Sequence, residues 1–325
     1  MNRMKGVMSV VAVAALSISS WAMASNENHS TQQYGDLVES INTALLEGFV
    51  IPEVAPKYAA KLKECLVLDC LSESKTKEDA AKKITQLLQS VHEDKHLNIF
   101  APGQREKMQK GRMMKKRPAS RPGSDDTGIS EVKIMEGNIG YIKIDKFPGT
   151  SESVAATHEA MKELKDTNAI IFDIRDHRGG SPENITEISN FLFEKETHMV
   201  TTRSPHMNDG KPIPHMSEPN QYTGSYKGKP AYLLTSKRSG SAAEHFAMSM
   251  KSTGRAILVG DTTGGWGHWG GIVPLKDGFS MFLPSGRTYH PVSQLGWEGI
   301  GITPDIMVDE KESLNYVLKR IKALM

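Results

Sequence analysis

Apolar positions recur at two different spacings along this chain of 325 residues, and the spacing changes near residue 129. From Tyr34 to about Ile99 they repeat at helical intervals, which predicts a small bundle of about three helices. Beyond residue 129, the segment 138–144 alternates between apolar and polar positions and 169–174 is a short apolar run, as is typical of strands. Because later strands alternate with helical segments, the pattern predicts a layered α/β core.

The same periodicity gives bounds to the later elements. Helices are predicted at 151–164, 182–192, 242–250 and 313–324, and strands at 231–234 and 256–260. A hairpin is predicted over 279–292, where two strand-like runs flank Pro284-Ser-Gly-Arg.

The segment 101–128 interrupts both periodicities. It contains three prolines, several glycines and a basic run from Arg105 to Arg121, which together predict a linker or a long surface loop. The predicted organisation is a helical domain over 25–100, this basic Pro/Gly-rich linker or loop over 101–128, and an α/β core over 129–325.

Residues 1–24 have the three parts of a signal peptide. Arg3 and Lys5 are followed by the apolar stretch Val7 to Ile18 and by Ala22-Met23-Ala24, a small-residue cleavage site. The apolar stretch is shorter than the roughly 20 residues that span a bilayer. We therefore expect an exported protein, periplasmic or secreted, with no membrane span.

Charge and cysteine content narrow the function classes. The formal net charge is +2, so bulk electrostatics gives no indication of nucleic-acid binding. The two cysteines, Cys65 and Cys70, favour a disulfide in an oxidising compartment, with two buried thiols as the alternative. A continuous helix through both positions would oppose the bridge.

Ser241 follows the predicted strand 231–234 and directly precedes a predicted helix. At a helix N-terminus the first N–H groups lack intrahelical partners, so a serine there could act as a nucleophile beside oxyanion donors. The alternative is a plain helix cap, with Glu244 completing a capping box.

Four segments then follow one another in order: 173–180 (DIRDHRGG), 235–244 (TSKRSGSAAE), 254–265 (GRAILVGDTTGG) and 298–306 (EGIGITPDI). In this order they resemble the C-terminal-processing, or tail-specific, serine protease family. The most similar branch includes the interphotoreceptor retinoid-binding-protein modules and the tricorn protease core. The resemblance implies a ClpP/crotonase-like α/β core with a small N-terminal helical domain, and no segment resembles a PDZ domain.

The resemblance also implies roles for individual residues. Ser241 would be the nucleophile, His96 the general base, and Glu298 its support. The oxyanion donors would be the N–H groups of Ala242 and of Gly179 or Gly180. A serine–lysine dyad is not expected, because Trp266 occupies the place of the lysine, and Lys95 replaces the hydroxyl residue that links base and glutamate.

The implied activity is hydrolysis of peptide bonds in a polypeptide substrate without a cofactor or metal; the sequence does not predict the oligomeric state. Trp266, His268 and Trp269 are expected to line the substrate cleft, and His268 is the second choice for the base.

Two other functions stay open at this point. His92-Glu-Asp-Lys-His96 fits the His-Glu-x-x-His pattern of zinc metalloproteases, which requires both imidazoles on one helical face. A non-catalytic module that binds apolar ligands or peptides would use the same fold, with Trp266, Trp269 and Trp297 lining its cleft.

Overall fold

Three amphipathic helices form the amino-terminal bundle in the computed structural model, which describes residues 29–114, 127–218 and 220–324. They are α1 (His29–Gly48), α2 (Ala55–Val67) and α3 (Lys77–Val91). Helix α3 begins in a capping box, in which the Thr76 side chain accepts from the Asp79 N–H and the Asp79 carboxylate accepts from the Thr76 N–H. The predicted signal peptide lies outside the described residues.

Helix α2 ends between the two cysteines. Cys65 lies in its last turn and Cys70 follows its end, and the two are joined by a disulfide across a Cα–Cα distance of 5.1 Å. The helix break removes the geometric objection to the bridge.

The segment predicted as a linker or loop begins with regular structure. After β1 (Asn98–Phe100), helix α4 (Gln104–Met114) occupies the first half of 101–128. Its polar composition gives no apolar stripe to detect, which is why the periodicity did not predict it. Residues 115–126 lie outside the described ranges.

The remaining elements alternate as the sequence predicts. In order they are β2 (Ile129–Met135), β3 (Ile139–Ile144), α5 (Ser151–Leu164), β4 (Ala169–Asp173), α6 (Glu183–Leu192), β5 (His198–Arg203), β6 (Ile213–Met216), β7 (Ala231–Thr235), α7 (Ala242–Ser252), β8 (Ile257–Gly260), β9 (His268–Pro274), β10 (Ser280–Tyr289), β11 (Ile306–Met307) and α8 (Ser313–Leu324). Short 3₁₀ turns cover Asn208–Gly210 and Lys276–Gly278.

A six-stranded sheet forms the centre of the α/β core, in the order β11-β8-β7-β4-β3-β2. Every neighbouring pair is parallel except β2 with β3. Buried apolar side chains cover both faces, with α5, α6 and α7 packed on one face and α8 on the other. Parallel strands place their carboxyl ends along one edge, so the turns after β4 and β7 lie side by side.

The second sheet is antiparallel and joins the two halves of the chain. Its order is β1-β10-β5-β6, with β9 also paired to β10. The predicted hairpin over 279–292 is wrong: β10 is one continuous strand, and Pro284-Ser-Gly forms a bulge in its pairing with β9. The inner face of β10 contributes Met281 and Leu283 to the core of the helical bundle.

Within the described residues, no helix combines the length and the apolar character that crossing a membrane requires.

Candidate active site

Ser241 occupies a sharp turn between β7 and α7. Its backbone has φ 58° and ψ −117°, a sparsely populated conformation for a residue with a side chain. Such strain is typical of functional turns that are held by their surroundings. The turn presents the side chain at the carboxyl edge of the central sheet, where α/β proteins bind their ligands.

The predicted capping box at Ser241 is present. The Glu244 N–H faces Ser241, where it donates to the carbonyl oxygen at 2.8 Å. In return the Glu244 carboxylate accepts from the Ser241 N–H at 3.0 Å. A hydroxyl that accepts in such a box still carries a proton that a base could remove.

Glu244 is a buried clamp that the sequence did not reveal as such. Beyond Ser241, its carboxylate accepts from Thr263 Oγ1 and from the N–H groups of Gly265 and Trp266, at 2.6 to 2.7 Å. Burial raises the pKa of Glu244, while these four hydrogen bonds favour its ionised form. One carboxylate thus ties the Ser241 turn to residues 264–267, named the glycine loop here.

The two glycines after β4 have different roles. Gly179 approaches Ser241 so closely that a Cβ on it would lie 2.8 Å from Ser241 Cβ, and its φ is 100°. Its N–H donates to His177 Nδ1 at 3.0 Å, so that group is not free to bind an oxyanion. Gly180 pairs with Phe147 in an isolated bridge, is exposed, and has no recorded acceptor for its N–H in the described part of the chain.

Ala242 begins α7, and its N–H likewise has no recorded acceptor among the described residues. This is the unpaired donor that a helix N-terminus provides. Ala242 and Gly180 are therefore the available donors beside Ser241.

His96 lies on the turn between α3 and β1, half-buried against two aromatic rings. It stacks on Phe282 at 5.3 Å and meets Trp266 edge-to-face at 5.0 Å between ring centroids. Burial lowers the pKa of His96 to about 4, so the ring is neutral at neutral pH, as a general base must be. No hydrogen bond joins Ser241 Oγ to His96 or His268 in the described residues.

Trp266 connects the two sides of the site. Its indole contacts His96 and also covers Gly240, where an added Cβ would lie 3.1 Å from the ring. Trp266 is 38% exposed, whereas Trp297 is buried in the core and Trp269 is half-buried behind Gly286. Among the three tryptophans proposed for a ligand cleft, Trp297 is therefore a packing residue.

Glu298 binds a backbone N–H group of the turn 92–97, named the base turn here because it carries His96, the expected base. One carboxylate oxygen accepts from the Lys95 N–H at 3.1 Å, and the other accepts from the N–H groups of Gly267 and His268. Lys95 Nζ donates to the Gly264 carbonyl at 2.7 Å. These four hydrogen bonds hold the base turn and the glycine loop together, even though Lys95 replaces the hydroxyl residue.

His268 is buried and pairs with Asp94, a residue to which the sequence gave no role. His268 Nδ1 lies 2.7 Å from the fully buried Asp94 carboxylate. His177 and His245 are also buried, and burial lowers their pKa values to about 3. Neither imidazole has a recorded hydrogen bond to Ser241 in the described residues.

The zinc motif does not have its required geometry. Helix α3 ends at Val91, His92 is its C-cap in extended conformation, and His96 lies beyond on a turn. The two imidazoles therefore do not share a helical face. Asp94, His96 and Glu298 do bring donor atoms within 4.8 Å of one another. However, every oxygen of the two carboxylates already accepts a hydrogen bond, so we describe them as a hydrogen-bonded network.

Comparison with known proteins decides the family. The model of peptidase family S41 matches residues 138–308, more than half of the chain. The chain belongs to peptidase family S41. A second model, the N-terminal domain of peptidase S41 in eukaryotic IRBP, matches residues 28–131. Both the family resemblance and the α/β fold class read from the sequence are confirmed.

Curated relatives of this S41 chain are carboxyl-terminal-processing proteases. The chloroplastic carboxyl-terminal-processing peptidase 2 of Arabidopsis thaliana is 29% identical over 170 residues. The match covers 51% of this chain and 31% of the relative. The carboxy-terminal processing protease CtpB of Bacillus subtilis is 29% identical over 196 residues, covering 56% and 36%. The matches to these two relatives thus span only about a third of their length.

Solved structures extend the likeness of fold across most of this S41 chain. A photosystem II D1 C-terminal processing protease matches with a TM-score of 0.59 at 15% identity, over 85% of this chain and 93% of that one. The tricorn protease matches with a TM-score of 0.52 at 15% identity, over 90% and 36%.

Proposed function

We propose that this S41 chain is an exported serine peptidase in which Ser241 attacks a peptide carbonyl and His96 is the general base. The observation that carries the proposal is the Ser241 turn. A serine hydroxyl sits at a strained backbone position, directly before the Ala242 N–H, which has no recorded acceptor among the described residues. A serine that only capped the helix would not need the strain.

The reaction would begin when the neutral His96 ring removes the Ser241 hydroxyl proton as Oγ bonds to the carbonyl carbon. The carbonyl oxygen becomes an oxyanion that Ala242 and Gly180 N–H groups stabilise. The imidazolium then gives its proton to the leaving amine, and the C–N bond breaks to leave an acyl-enzyme. Water, deprotonated by His96, releases the acyl group and restores Ser241.

Glu298 would support His96 by fixing its turn, since it accepts from the N–H of the preceding residue, Lys95. Nucleophile–base hydrogen bonds often tighten only in the substrate complex, so the missing Ser241–His96 bond is compatible with these roles. Trp266 would form the wall of the substrate cleft between them, with His268 and Trp269 behind it.

Covalent labelling with a fluorophosphonate probe tests the nucleophile. We expect the wild-type chain to be labelled on Ser241, and Ser241→Ala to abolish both labelling and peptide hydrolysis. Ser72→Ala, on the exposed turn after α2, is the matched control and should label normally. Labelling that persists in Ser241→Ala would refute the assignment.

Replacement of the base should slow the reaction without removing the nucleophile. His96→Gln is expected to lower the labelling rate by about 10²- to 10⁴-fold, the usual contribution of general-base catalysis. The rate should be measured at several pH values, with circular dichroism as the check on folding. A His96→Gln protein that labels at the wild-type rate would exclude His96 as the base.

Export is proposed from the signal-peptide pattern of residues 1–24 and is supported by the Cys65–Cys70 disulfide, since such bridges persist in oxidising compartments. Expression in a Gram-negative host should yield a periplasmic protein whose first residue is Ser25. Recovery of the uncleaved chain in the cytoplasm would contradict this.

A further inference from the structure

A buried carboxylate beside the base turn has no part in the reaction described so far. Asp94 is fully buried, two residues before His96. Its Oδ1 accepts from the His96 backbone N–H at 3.0 Å, and its Oδ2 lies 2.7 Å from His268 Nδ1. A buried charge is retained only where it is paired and hydrogen-bonded, and here both oxygens have partners.

The turn itself is built around this carboxylate. The Gln89 side chain accepts from the Asp94 N–H and donates to the carbonyls of Asp94 and Leu97, which ties the turn to the last part of α3. Asp94 is thus fixed at its backbone and at both carboxylate oxygens.

The pairing sets the tautomer of His268. Because Nδ1 faces a carboxylate, that nitrogen carries the proton and Nε2 is the unprotonated nitrogen in the neutral ring. The His268 N–H donates to Glu298 at 2.8 Å, so two carboxylates hold this residue. Carboxylate and imidazole therefore form a rigid unit next to the base.

Among the described residues, two neutral aromatic rings contact His96 and four titratable groups lie near it. Its ring contacts the neutral rings of Trp266 and Phe282. The titratable groups around it are the carboxylates of Asp94 and Glu298, the His268 imidazole, and the neighbouring Lys95, whose ammonium is bonded to the glycine loop.

Asp94 opposes the effect of burial on His96. Burial is the largest influence and lowers the pKa of His96; the Asp94 charge raises it, and His268 lowers it. The two carboxylate oxygens of Glu298 accept hydrogen bonds from three backbone N–H groups. The two carboxylates thus differ in what they contact.

We propose that Asp94 is a positioning residue of the peptidase reaction, which stabilises the imidazolium formed on His96 while His268 holds the carboxylate in place. Glu298 instead fixes the backbone of the base turn and the glycine loop. This division rests on the proposed function of Ser241 and His96, and it adds Asp94 and His268 to the machinery.

The test compares Asp94→Asn, His268→Gln and Glu298→Gln by the pH dependence of fluorophosphonate labelling. Asp94→Asn keeps the shape but removes the charge, so labelling at pH 7 should fall about 10- to 100-fold, part of the full general-base effect. The acid limb of its pH profile, where labelling falls as His96 becomes protonated, should shift to lower pH because His96 becomes harder to protonate. His268→Gln, which removes the residue that holds Asp94 in place, should shift the limb in the same direction, and Glu298→Gln should leave it in place.

Asp166→Asn, which removes one exposed charge far along the chain, is the control and should match the wild type. The proposal is overturned if Asp94→Asn labels at the wild-type rate with an unmoved acid limb, or if Glu298→Gln moves the limb equally. It is also overturned if His268→Gln stops labelling while His96→Gln does not, since His268 would then be the base. In each case labelling of wild-type Ser241 still supports the peptidase.

If Asp94→Asn fails to fold, NMR of a protein that keeps Asp94 and His268 tests their pairing directly. In ¹⁵N-histidine-labelled Ser241→Ala protein, NMR should find the His268 proton on Nδ1. A neutral His268 with its proton on Nε2 would overturn the pairing, whatever the variants do.

Discussion

At the scale of single residues, the site depends on two backbone positions that side chains normally avoid. Ser241 adopts a positive φ although it is not glycine, and Gly179 adopts a φ of 100° directly against it. At Ser241 such strain costs about 1–3 kcal/mol and persists only where the surroundings enforce it, whereas a glycine adopts a positive φ freely. Here the Glu244 clamp and the buried turn after β4 supply that enforcement.

Gly179→Ala should therefore inactivate the chain while it remains folded. The new methyl would lie 2.8 Å from Ser241 Cβ and 3.1 Å from its Oγ, and would crowd the proposed nucleophile. We expect labelling to fall by at least about 100-fold, as for the loss of an oxyanion donor. Stability should fall by about 1–3 kcal/mol in urea denaturation.

Gly35→Ala is the matched control, because its added methyl meets no atom within 4 Å and Gly35 lies inside α1. It should label normally and gain up to about 1 kcal/mol. Wild-type labelling in Gly179→Ala would show that the turn opens away from Ser241.

At the scale of elements, the site is assembled by hydrogen bonds between loops that are distant in sequence. Glu244 in the first turn of α7 holds the loop before β9, and Glu298 holds that same loop and the turn before β1. The glycine loop is also bonded on both sides, from the Gly264 N–H to Ser239 O and from the Gly299 N–H to Gly265 O. Each loop is therefore ordered by the others.

Glu244→Gln tests this dependence. The glutamine NH₂ group would replace a carboxylate oxygen such as Oε2, which accepts from the N–H groups of Ser241 and Trp266. Those two buried N–H groups would then face another hydrogen-bond donor and lose their acceptor. We expect a loss of about 3 kcal/mol of unfolding free energy, together with slower labelling of Ser241. Urea denaturation measures the first and probe kinetics the second.

Glu312→Gln, in the exposed turn before α8, is the control and should change stability by less than about 0.5 kcal/mol. A Glu244→Gln protein as stable as this control would mean that the clamp carboxyl is neutral, since glutamine would then reproduce its shape.

The sequence predicted most secondary-structure elements correctly but missed several contacts between them. Periodicity located the central sheet and its helices within a few residues, because burial on a sheet or helix face repeats at fixed intervals. It failed at β10, where Pro284 and Gly286 look like a turn but form a bulge. The roles of Ser241 and His96 come from the family resemblance and stay predictions. Asp94 and the clamping role of Glu244 were missed, because their partners lie far away in sequence or on another element.

At the scale of the whole molecule, buried neutral histidines make stability depend on pH. His245 on α7 packs against His215, and burial lowers its pKa to about 3 from 6.5. Between those values the unfolded chain binds a proton that the folded chain excludes, so stability is fully present above pH 6.5 and is lost as the pH falls. His96 and His177 act in the same direction, whereas burial raises the pKa of Glu298 and opposes them.

His245→Phe should flatten this dependence. Relative to wild type, its unfolding free energy should gain about 1.4 kcal/mol for each pH unit below 6.5. Urea denaturation at pH 7, 6 and 5 measures the slope, and the exposed His29→Gln variant should retain the wild-type slope. An unchanged slope in His245→Phe would mean that His245 is protonated within the fold.

His96 lies on the turn between α3 and β1, and Ser241 lies on a turn of the central sheet. Strand β10 packs into the bundle core and pairs with β1. Under the proposed roles, a piece that starts at residue 129 would carry the serine without its imidazole, and a piece that stops there would carry the imidazole alone. Under the proposed export, an extended chain crossing a membrane would hold no assembled site, and the site would form only when the first-made and last-made segments dock.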